Sequence, residues 1–398
     1  MATLLTIDEP PRTPSHGASL SALFALGFRP FYLLAAAFAA VSVPLWALQF
    51  AGWLGRPYLA GPLWHAHEML FGFALAVIVG FLFTAGRNWT GQPTPAGAGL
   101  AALVALWLAA RVLVLTPLTT AAAWANIAFP LAAAIALAVP LVRARSRRNY
   151  FFVGLLAMMA AAAARIHFAP AGTGALPWRG VQLALDAVLF ILCAMGGRVI
   201  PMFTQNGVPG TRPRRHARLE QAALGAVLAL MAADAAGVEG LPLAALASVA
   251  AVLHAWRWWL WQPWSTRRAP LVWVLHAGYA WVPVHLLLRA LAATGAVAPT
   301  LATHALTVGA IGGLVVGMVT RTARGHTGRP LRADRWETAC YALVLAAAFV
   351  RVAGPLAAPA QLLHAVLVSA VLWSAGFGLY ALRYGPLLSR PRLDGRPG

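Results

Sequence analysis

Histidine is the residue type that gives this chain most of its candidate chemistry. Eight of its 11 histidines lie within or at the ends of long apolar segments, and the densest run is Trp64 to Met69. An ionisable side chain inside a membrane is costly and is usually retained for a function. The eight histidines are His65, His67, His167, His254, His276, His285, His304 and His364.

The pair His65 and His67 points to ligation of a metal or haem. Neutral imidazole is the usual protein ligand of haem iron and of copper, and a nearby carboxylate commonly orients it. Residues two apart on a regular helix point about 200° away from each other, so these two cannot bind one ion together. Either they serve two sites, or one of them only supports a site that other residues form.

Helical spacing gives each of the two histidines its own face. His65 shares a stripe with Glu68 and Gly72, which would combine a ligand, a carboxylate and a gap for a flat group. His67 would face the other way, toward Phe71. The stripe therefore predicts a cofactor contact at His65 that Glu68 supports.

The composition is that of an integral membrane protein. Hydrophobic residues make up 61% of the chain, charged residues only 10%, and the mean hydropathy is +0.73. A span requires about 20 apolar residues. The sequence predicts an all-α bundle of about twelve spans, near 31–50, 63–86, 96–115, 121–142, 150–168, 180–203, 218–236, 241–260, 269–291, 299–320, 335–354 and 359–383.

The arginines test this topology independently. All 30 basic residues are arginine, and the net charge is +20. A first set of arginines lies in the two tails and in alternate loops, whereas the loops on the other side hold only Arg56 and Arg179. Because cytoplasmic loops are rich in arginine, this distribution predicts that both termini are cytoplasmic. The arginines are scattered over short loops, so we expect attraction to anionic lipid rather than to nucleic acid. The first set comprises Arg12, Arg87, Arg143, Arg145, Arg147, Arg148, Arg212, Arg214, Arg215, Arg218, Arg267, Arg268, Arg321, Arg324, Arg329, Arg332, Arg335, Arg390, Arg392 and Arg396.

We expect one membrane domain over residues 21–384. A flexible cytoplasmic tail over 1–20 would precede it and a cytoplasmic tail over 385–398 would follow, with a short interfacial helix near 20–28. No internal repeat is evident beyond a weak division into two six-helix halves. Cys193 and Cys340 lack a Cys-x-x-Cys arrangement, so any haem would be non-covalent and b-type.

Depth along the spans predicts two levels of histidine. His254 and His276 would lie roughly 10 Å from the cytoplasmic face and could form an inner site. The other six could share the external leaflet, although His285 and His364 are equally explained by hydrogen bonds between helices. His16, His216 and His326 fall in cytoplasmic segments.

Buried charges add a second set of candidates. Glu68, Asp186 and Asp234 would lie toward the external side, where they could pair with Arg165 or Arg179 or conduct protons to the outer site. Five arginines near helix ends would snorkel, or would contact haem propionates. These are Arg111, Arg198, Arg257, Arg289 and Arg351.

Six short motifs occur in order along residues 21–384. They are Gly27-Phe28-Arg29-Pro30-Phe31, Trp64-His65-Ala66-His67-Glu68-Met69-Leu70-Phe71-Gly72, Gly80-Phe81-Leu82 followed by Asn88-Trp89-Thr90-Gly91, Gly196-Gly197-Arg198-Val199-Ile200-Pro201, Leu275-His276-Ala277-Gly278-Tyr279-Ala280-Trp281, and Gly325-His326-Thr327-Gly328-Arg329-Pro330. This set resembles the NnrS family. The resemblance implies a multi-pass protein of the bacterial inner membrane that binds haem and copper and is linked to nitric oxide metabolism, denitrification or resistance to nitrosative stress.

By motif position, the resemblance implies which histidines bind cofactors. We expect haem or copper at His65, His67, His304, His254 and His276, with metal ligation also at His167. Glu68, Arg198 and His326 are second-tier candidates, His326 because it could cap the bundle or contact a propionate. His285 and His364 fall outside the motifs.

Three functions remain open at this stage. The preferred hypothesis is a haem- and copper-binding protein that senses, scavenges or turns over nitric oxide, with an electron donor that the motifs do not identify. It would be an oxidoreductase only if nitric oxide is its substrate. The alternatives are a secondary transporter that uses buried His, Asp and Glu for proton coupling, and an assembly factor that handles haem or copper transiently.

Overall fold

The computed structural model describes residues 17–54, 59, 61–169 and 174–395. It is 81% helical and has no strand in that part of the chain, which confirms the predicted all-α class. Most of the predicted N-terminal tail, Arg56 and the end of the predicted C-terminal tail lie outside the described residues.

Each of the twelve predicted spans coincides with one long helical segment of the described residues. Their bounds are α1 Phe28–Phe50, α2 Pro62–Thr90, α3 Gly97–Leu113, α4 Thr119–Arg143, α5 Phe151–His167, α6 Leu176–Gly207, α7 Ala217–Ala235, α8 Gly240–Leu260, α9 Pro270–Ala293, α10 Pro299–His326, α11 Arg335–Ala357 and α12 Leu362–Leu388.

Ten of these segments are long and apolar enough to cross a membrane, when α5 and α12 are taken with the 3₁₀ turn that precedes each. The protein is therefore a multi-pass membrane protein. The two others are α3, which has 17 residues, and α7, which has 19. Helix α7 carries Arg218, Glu220 and Asp234, so its apolar length is shorter than its helical length.

Several helices extend beyond the apolar stretches that predict them. Helix α6 covers Leu176–Gly207 where apolarity predicts 180–203, and α12 continues to Leu388 where apolarity predicts 383. The predicted C-terminal tail therefore begins inside a helix. Near residue 20, the predicted interfacial helix is a single turn, Leu20–Leu23. Hydropathy shows where the apolar residues end, whereas the backbone hydrogen bonds of the helix continue through polar residues.

Local sequence explains where the helices begin. Pro62, Pro270 and Pro299 stand in the first turn of their helices, where the missing N–H group costs nothing. Helix α11 begins with a capping box. Asp334 Oδ1 accepts from the Glu337 N–H at 3.1 Å, and the Asp334 N–H donates to Glu337 Oε2 at 2.8 Å.

Every fourth helix lies at the centre of the bundle. Among the ten candidate spans, α2 is 83% buried and α6 and α10 are each 72% buried, against 61% for the next, α9. Helices α4 and α5 pack together, as do α8 and α9, and α12 closes the ring against α1. A central helix thus recurs in a four-helix plan along the chain, whereas the sequence showed no repeat beyond a weak division into two six-helix halves.

The central helices α2 and α10 share an unusual internal plan. Each begins with a six-residue α-helix that ends in a histidine, His67 or His304, and continues as a seven-residue π-helix. The π-helical turns cover Glu68–Ala74 and Ala305–Ile311. Wide turns of this kind occur mostly at functional sites, because they redirect the side chains around them.

Glycine at position 72 makes room for an aromatic side chain rather than for a cofactor. A Cβ atom at Gly72 would collide with the Phe38 ring, and the Gly72 carbonyl accepts a hydrogen bond from Trp107 Nε1 at 3.1 Å. The predicted gap for a flat group on this stripe is therefore wrong. Phe38 occupies it.

Two of the sequence motifs fasten the C-terminal segment. Arg29, which is buried, donates to the carbonyl oxygens of Leu388 at 2.9 Å and Arg390 at 2.7 Å. Arg392 donates to the His326 carbonyl at 3.1 Å. The His326 ring packs on Phe28, with centroids 5.5 Å apart. His326 therefore helps to hold the C-terminal segment against the start of α1, at the end of the bundle where most of the described arginines lie.

Candidate functional site

His67 is the centre of a buried polar chain near the start of α2. Its Nδ1 lies 2.8 Å from Glu68 Oε1, and its Nε2 lies 3.0 Å from Nε2 of His167, on α5. The two imidazole planes are nearly perpendicular, at 84°. Because the Nδ1–H group of His67 donates to the carboxylate, the Nε2 lone pair of His67 points at His167. This arrangement joins a carboxylate, a histidine and a second histidine in series.

Arg111 balances the charge of this chain. Its Nη1 donates to Glu68 Oε1 at 2.5 Å, and its Nη2 donates to Asn126 Oδ1. Asn126 is held in turn by the Ala122 carbonyl at 2.8 Å. All of these side chains are buried. A buried carboxylate without such a partner would be strongly destabilising.

The sequence prediction missed this partner. It offered Arg165 or Arg179 for Glu68, and both of these arginines are exposed. Arg111 was expected to snorkel, as were Arg257 and Arg289, yet each of the three forms an ion pair with a carboxylate. The sequence did contain an indication of this pair, because Glu68 and Arg111 would lie at a similar depth, near the ends of their helices on the same side of the membrane.

Two further histidines, His65 on α2 and His304 on α10, lie in one region with Arg351 of α11. Both are half-buried, and the three side chains are near enough to influence one another electrostatically. His65 stacks on Trp46, with centroids 5.1 Å apart and planes at 15°. His304 Nδ1 donates to the Thr300 carbonyl at 2.6 Å, which leaves its Nε2 lone pair for a ligand.

His65 and His67 therefore have different neighbours, as helix geometry predicts: Trp46 for His65, and Glu68 and His167 for His67. The stripe that joined His65 to Glu68 is wrong, because Glu68 bonds to His67. Two of the six histidines predicted for the external leaflet have other surroundings. His364 is exposed, and His285 donates from Nδ1 to the Ala302 carbonyl at 2.8 Å.

The two inner histidines have separate partners and do not form one site. His254 donates from Nε2 to the Ala223 carbonyl at 3.1 Å and accepts from the Tyr279 hydroxyl at 2.7 Å. Both of its ring nitrogens are thus occupied. His276 donates from Nε2 to Thr204 Oγ1 at 2.8 Å, because that hydroxyl already donates to the Ile200 carbonyl.

Bare imidazole nitrogens remain at two buried positions. Nδ1 of His276 and Nε2 of His285 meet no hydrogen-bond partner among the described residues. A buried polar atom of this kind is uncommon and is a candidate for a ligand or a proton. Sequence reasoning ranked His276 as a cofactor residue and His285 below it; the structure leaves one bare nitrogen on each.

His285 faces a cavity of about 850 Å³ at the same end of the bundle as His67. Two acidic residues enter it from α6 and α7. Arg289 forms an ion pair with Asp234, and its Nη1 lies 3.7 Å from Asp186 Oδ1. Gln182 donates to Asp186 Oδ1 at 2.9 Å. Two carboxylates thus share one arginine.

The donor atoms of the His67 pair fit a metal ion. Imidazole nitrogens bind first-row metals at about 2.0 Å, so two Nε2 atoms 3.0 Å apart can be neighbours on one ion. A carboxylate on the far nitrogen, as at Glu68, is the usual support of such a ligand. In the part of the chain that the structure describes, no three His, Cys, Asp or Glu side chains gather into a larger ligand set.

Comparison with known proteins agrees with the six motifs. No curated protein matches the sequence closely enough to count as a relative. The family model described as NnrS protein matches residues 22–392, nearly the whole chain. The chain therefore belongs to the NnrS family, whose members are membrane proteins associated with nitric oxide.

Proposed function

We propose that this protein binds haem and copper in the bacterial inner membrane and senses, scavenges or turns over nitric oxide. The supporting observation is that His65 and His67, two residues apart, have different neighbours: His67 pairs with His167 and Glu68, whereas His65 stacks on Trp46. These separate surroundings offer two candidate centres at one end of the bundle. The NnrS membership supplies the link to nitric oxide.

His67 and His167 would hold copper. The Glu68 carboxylate fixes the His67 ring through Nδ1 and keeps the Nε2 lone pair directed at the site. Phe71 stacks on His67 with centroids 4.9 Å apart, and it shields that ring from water. Arg111 neutralises the carboxylate, so the site carries no uncompensated charge before copper binds.

His65 and His304 would ligate a non-covalent b-type haem. Trp46 fixes the plane of His65 by stacking, and the Thr300 carbonyl fixes the tautomer of His304. Arg351 acts electrostatically on both rings and is placed to neutralise a propionate. The chemistry that such groups supply is binding of nitric oxide and transfer of single electrons.

We further propose the orientation that the arginine pattern predicts, with all twelve helices as spans and both termini cytoplasmic. The histidine pairs would then lie toward the external face. Single cysteines introduced at Arg179→Cys and Arg268→Cys test this, with Cys193 and Cys340 replaced. An impermeant thiol reagent added to intact cells with a permeabilised outer membrane should label only position 179. Labelling of position 268 alone would show that the orientation is the reverse of the proposed one.

Removal of nitric oxide by membrane vesicles tests the function. Vesicles with the wild-type chain, a reductant and a redox mediator should remove nitric oxide faster than vesicles with a His65→Ala/His67→Ala variant, by at least about tenfold, the size expected for loss of a metal site. A haem spectrum that responds to nitric oxide without removal would assign a sensor. If nitric oxide does not change the haem spectrum and both kinds of vesicle remove it at the same rate, the proposal is wrong.

A second candidate function is proton-coupled transport, and the 850 Å³ cavity is the observation that favours it. Asp186, Asp234 and Arg289 form a buried charged group that could exchange a proton with a solute in the cavity. Asp186→Asn should then abolish pH-driven solute uptake in proteoliposomes and leave any haem spectrum unchanged. An unaltered uptake rate would remove this candidate.

A further inference from the structure

Three arginines converge on a small cavity at the arginine-rich end of the bundle. The cavity has a volume of about 260 Å³ and lies between the end of α2, the turn before α5 and the last turns of α6. Arg148, Arg198 and Arg215 line it. Trp89 and Arg198 bring two of the six sequence motifs to this place.

The arginines lack a matching set of carboxylates. The charges of Arg148 and Arg215 both act on Arg198. Arg198 itself is held by neutral groups, with Nη1 donating to Asn149 Oδ1 at 2.8 Å. The lining of the cavity includes no acidic residue. Like charges that meet beside a low-dielectric bundle are stabilised by a bound anion.

Among the described residues, the one acidic side chain that forms an ion pair with this group already has another partner. Glu220 Oε2 lies 3.8 Å from Arg215 Nη2 but accepts a hydrogen bond from the buried Arg257 at 2.8 Å. One carboxylate thus faces two arginines, and Arg148 and Arg198 have no acidic partner in the described lining. The cavity keeps an excess of positive charge.

Apart from Asn149, the rest of the cavity wall is apolar, and part of it is exposed on the outside of the bundle. Trp89 stacks on Phe152, with centroids 5.4 Å apart and planes at 14°. Arg198 lies over the same ring at 5.7 Å, so its guanidinium is fixed in place. Met202, also in the wall, is 46% exposed on the outside of the bundle. A ligand here would meet a cationic end and an apolar side.

We propose that this cavity binds the phosphate group of an anionic phospholipid from the leaflet at the arginine-rich end. The arginines would contact the phosphate, and the acyl chains would lie along the outward surface beside Met202. Basic pockets between helices at the cytoplasmic interface recognise such headgroups. A free phosphate ion would use the same arginines but would gain nothing from the apolar wall.

Thermal unfolding of the delipidated full-length chain tests the proposal. Phosphatidylglycerol added to the detergent should raise the unfolding temperature, and phosphatidylcholine should not. The Arg198→Gln variant should need at least about ten times more phosphatidylglycerol for the same rise, the loss expected for one strong phosphate contact. Arg268→Gln removes the same charge at the same end of the bundle, outside the cavity, and should respond as the wild type does.

A double variant, Arg148→Gln/Arg215→Gln, keeps the test decisive if Arg198→Gln does not fold. Equal responses of the double variant and the Arg268→Gln control would overturn the proposal. So would protection by millimolar inorganic phosphate equal to that by phosphatidylglycerol, because the site would then be one for a free anion. Protection by the lipid alone, lost in the double variant, would support it.

Discussion

The Nε2 atoms of His67 and His167 lie 3.0 Å apart, although the two residues are 100 positions apart in the chain. His67 belongs to α2 and His167 to α5. The Glu68 carboxylate accepts a hydrogen bond from Nδ1, the nitrogen of His67 that faces away from His167. Such a pair is either an imidazole hydrogen bond or two neighbouring ligands of one ion. The proposed copper site rests on the second of these.

Replacing His167 should remove copper and spare haem. A His167→Ala variant deletes one of two proposed ligands while His65 and His304 remain, so copper content should fall by at least about tenfold. Elemental analysis and a reduced haem spectrum of the same sample measure both. His364→Ala, at an exposed position, is the control. Full copper occupancy in His167→Ala would exclude this pair as the site.

Glu68 should contribute to both stability and metal affinity. Glu68→Gln leaves Arg111 as a buried charge without its partner, which costs about 3–5 kcal/mol. Copper affinity should also fall by about 10- to 100-fold, because His67 loses its orienting carboxylate. Adding Arg111→Met should restore much of the unfolding temperature but none of the affinity. Restoration of both by the second substitution would argue that the pair is purely structural.

Removal of His304 should have the opposite selectivity. His304→Ala should lose the haem Soret band and keep copper at the level of the wild type, since the Glu68 and His167 pairings of His67 are untouched. The ratio of Soret to protein absorbance measures the loss. Joint disappearance of haem and copper, in a variant that still inserts and folds, would mean that the two pairs form one centre.

The capping box of α11 should give a pH-dependent stability outside the membrane. Partial burial raises the pKa of Asp334. The backbone N–H groups of Glu337 and Trp336 and the Arg383 guanidinium lower that pKa by a larger amount, so the folded pKa lies below the ordinary value of about 3.9. The ionised group therefore stabilises the fold above that ordinary value, and its contribution is lost as the pH falls through the folded pKa.

Asp334→Ala removes this cap and should cost about 1 kcal/mol at neutral pH. The difference from the wild type should shrink as the pH falls through the lowered folded pKa of Asp334, where the carboxylate becomes protonated. Thermal unfolding over a series of pH values from neutral to acidic measures it. Asp334→Asn keeps a good N-cap and should lose less at neutral pH. A difference that grows on acidification would contradict the assigned sign.

Hydropathy and arginine spacing predicted where the helices lie, because both depend on the residue types along the chain and not on contacts between helices. Each predicted span coincides with a helix, and the largest errors are at polar ends such as that of α6. The repeated four-helix plan was not predictable in this way, since it depends on which helices pack together. The π-helical turns at Glu68–Ala74 and Ala305–Ile311 also lack a hydropathy signal.

Side-chain partners were harder to predict than depth. The angular argument that separated His65 from His67 agrees with the structure, because it uses only helix geometry. The grouping of Glu68 with His65 failed because the Glu68 side chain turns toward Nδ1 of the neighbouring His67, a contact that helical spacing does not show. Arg111 was missed because an arginine near a helix end is ordinarily solvated.

The most direct test of the two-centre account is a haem spectrum and a copper analysis of one purified sample of the full chain. We predict a Soret band that shifts on reduction with dithionite and again on addition of nitric oxide, together with stoichiometric copper. A folded protein that is colourless and free of copper would contradict the account. In that case the 850 Å³ cavity, rather than the histidine pairs, would become the principal candidate for the functional site.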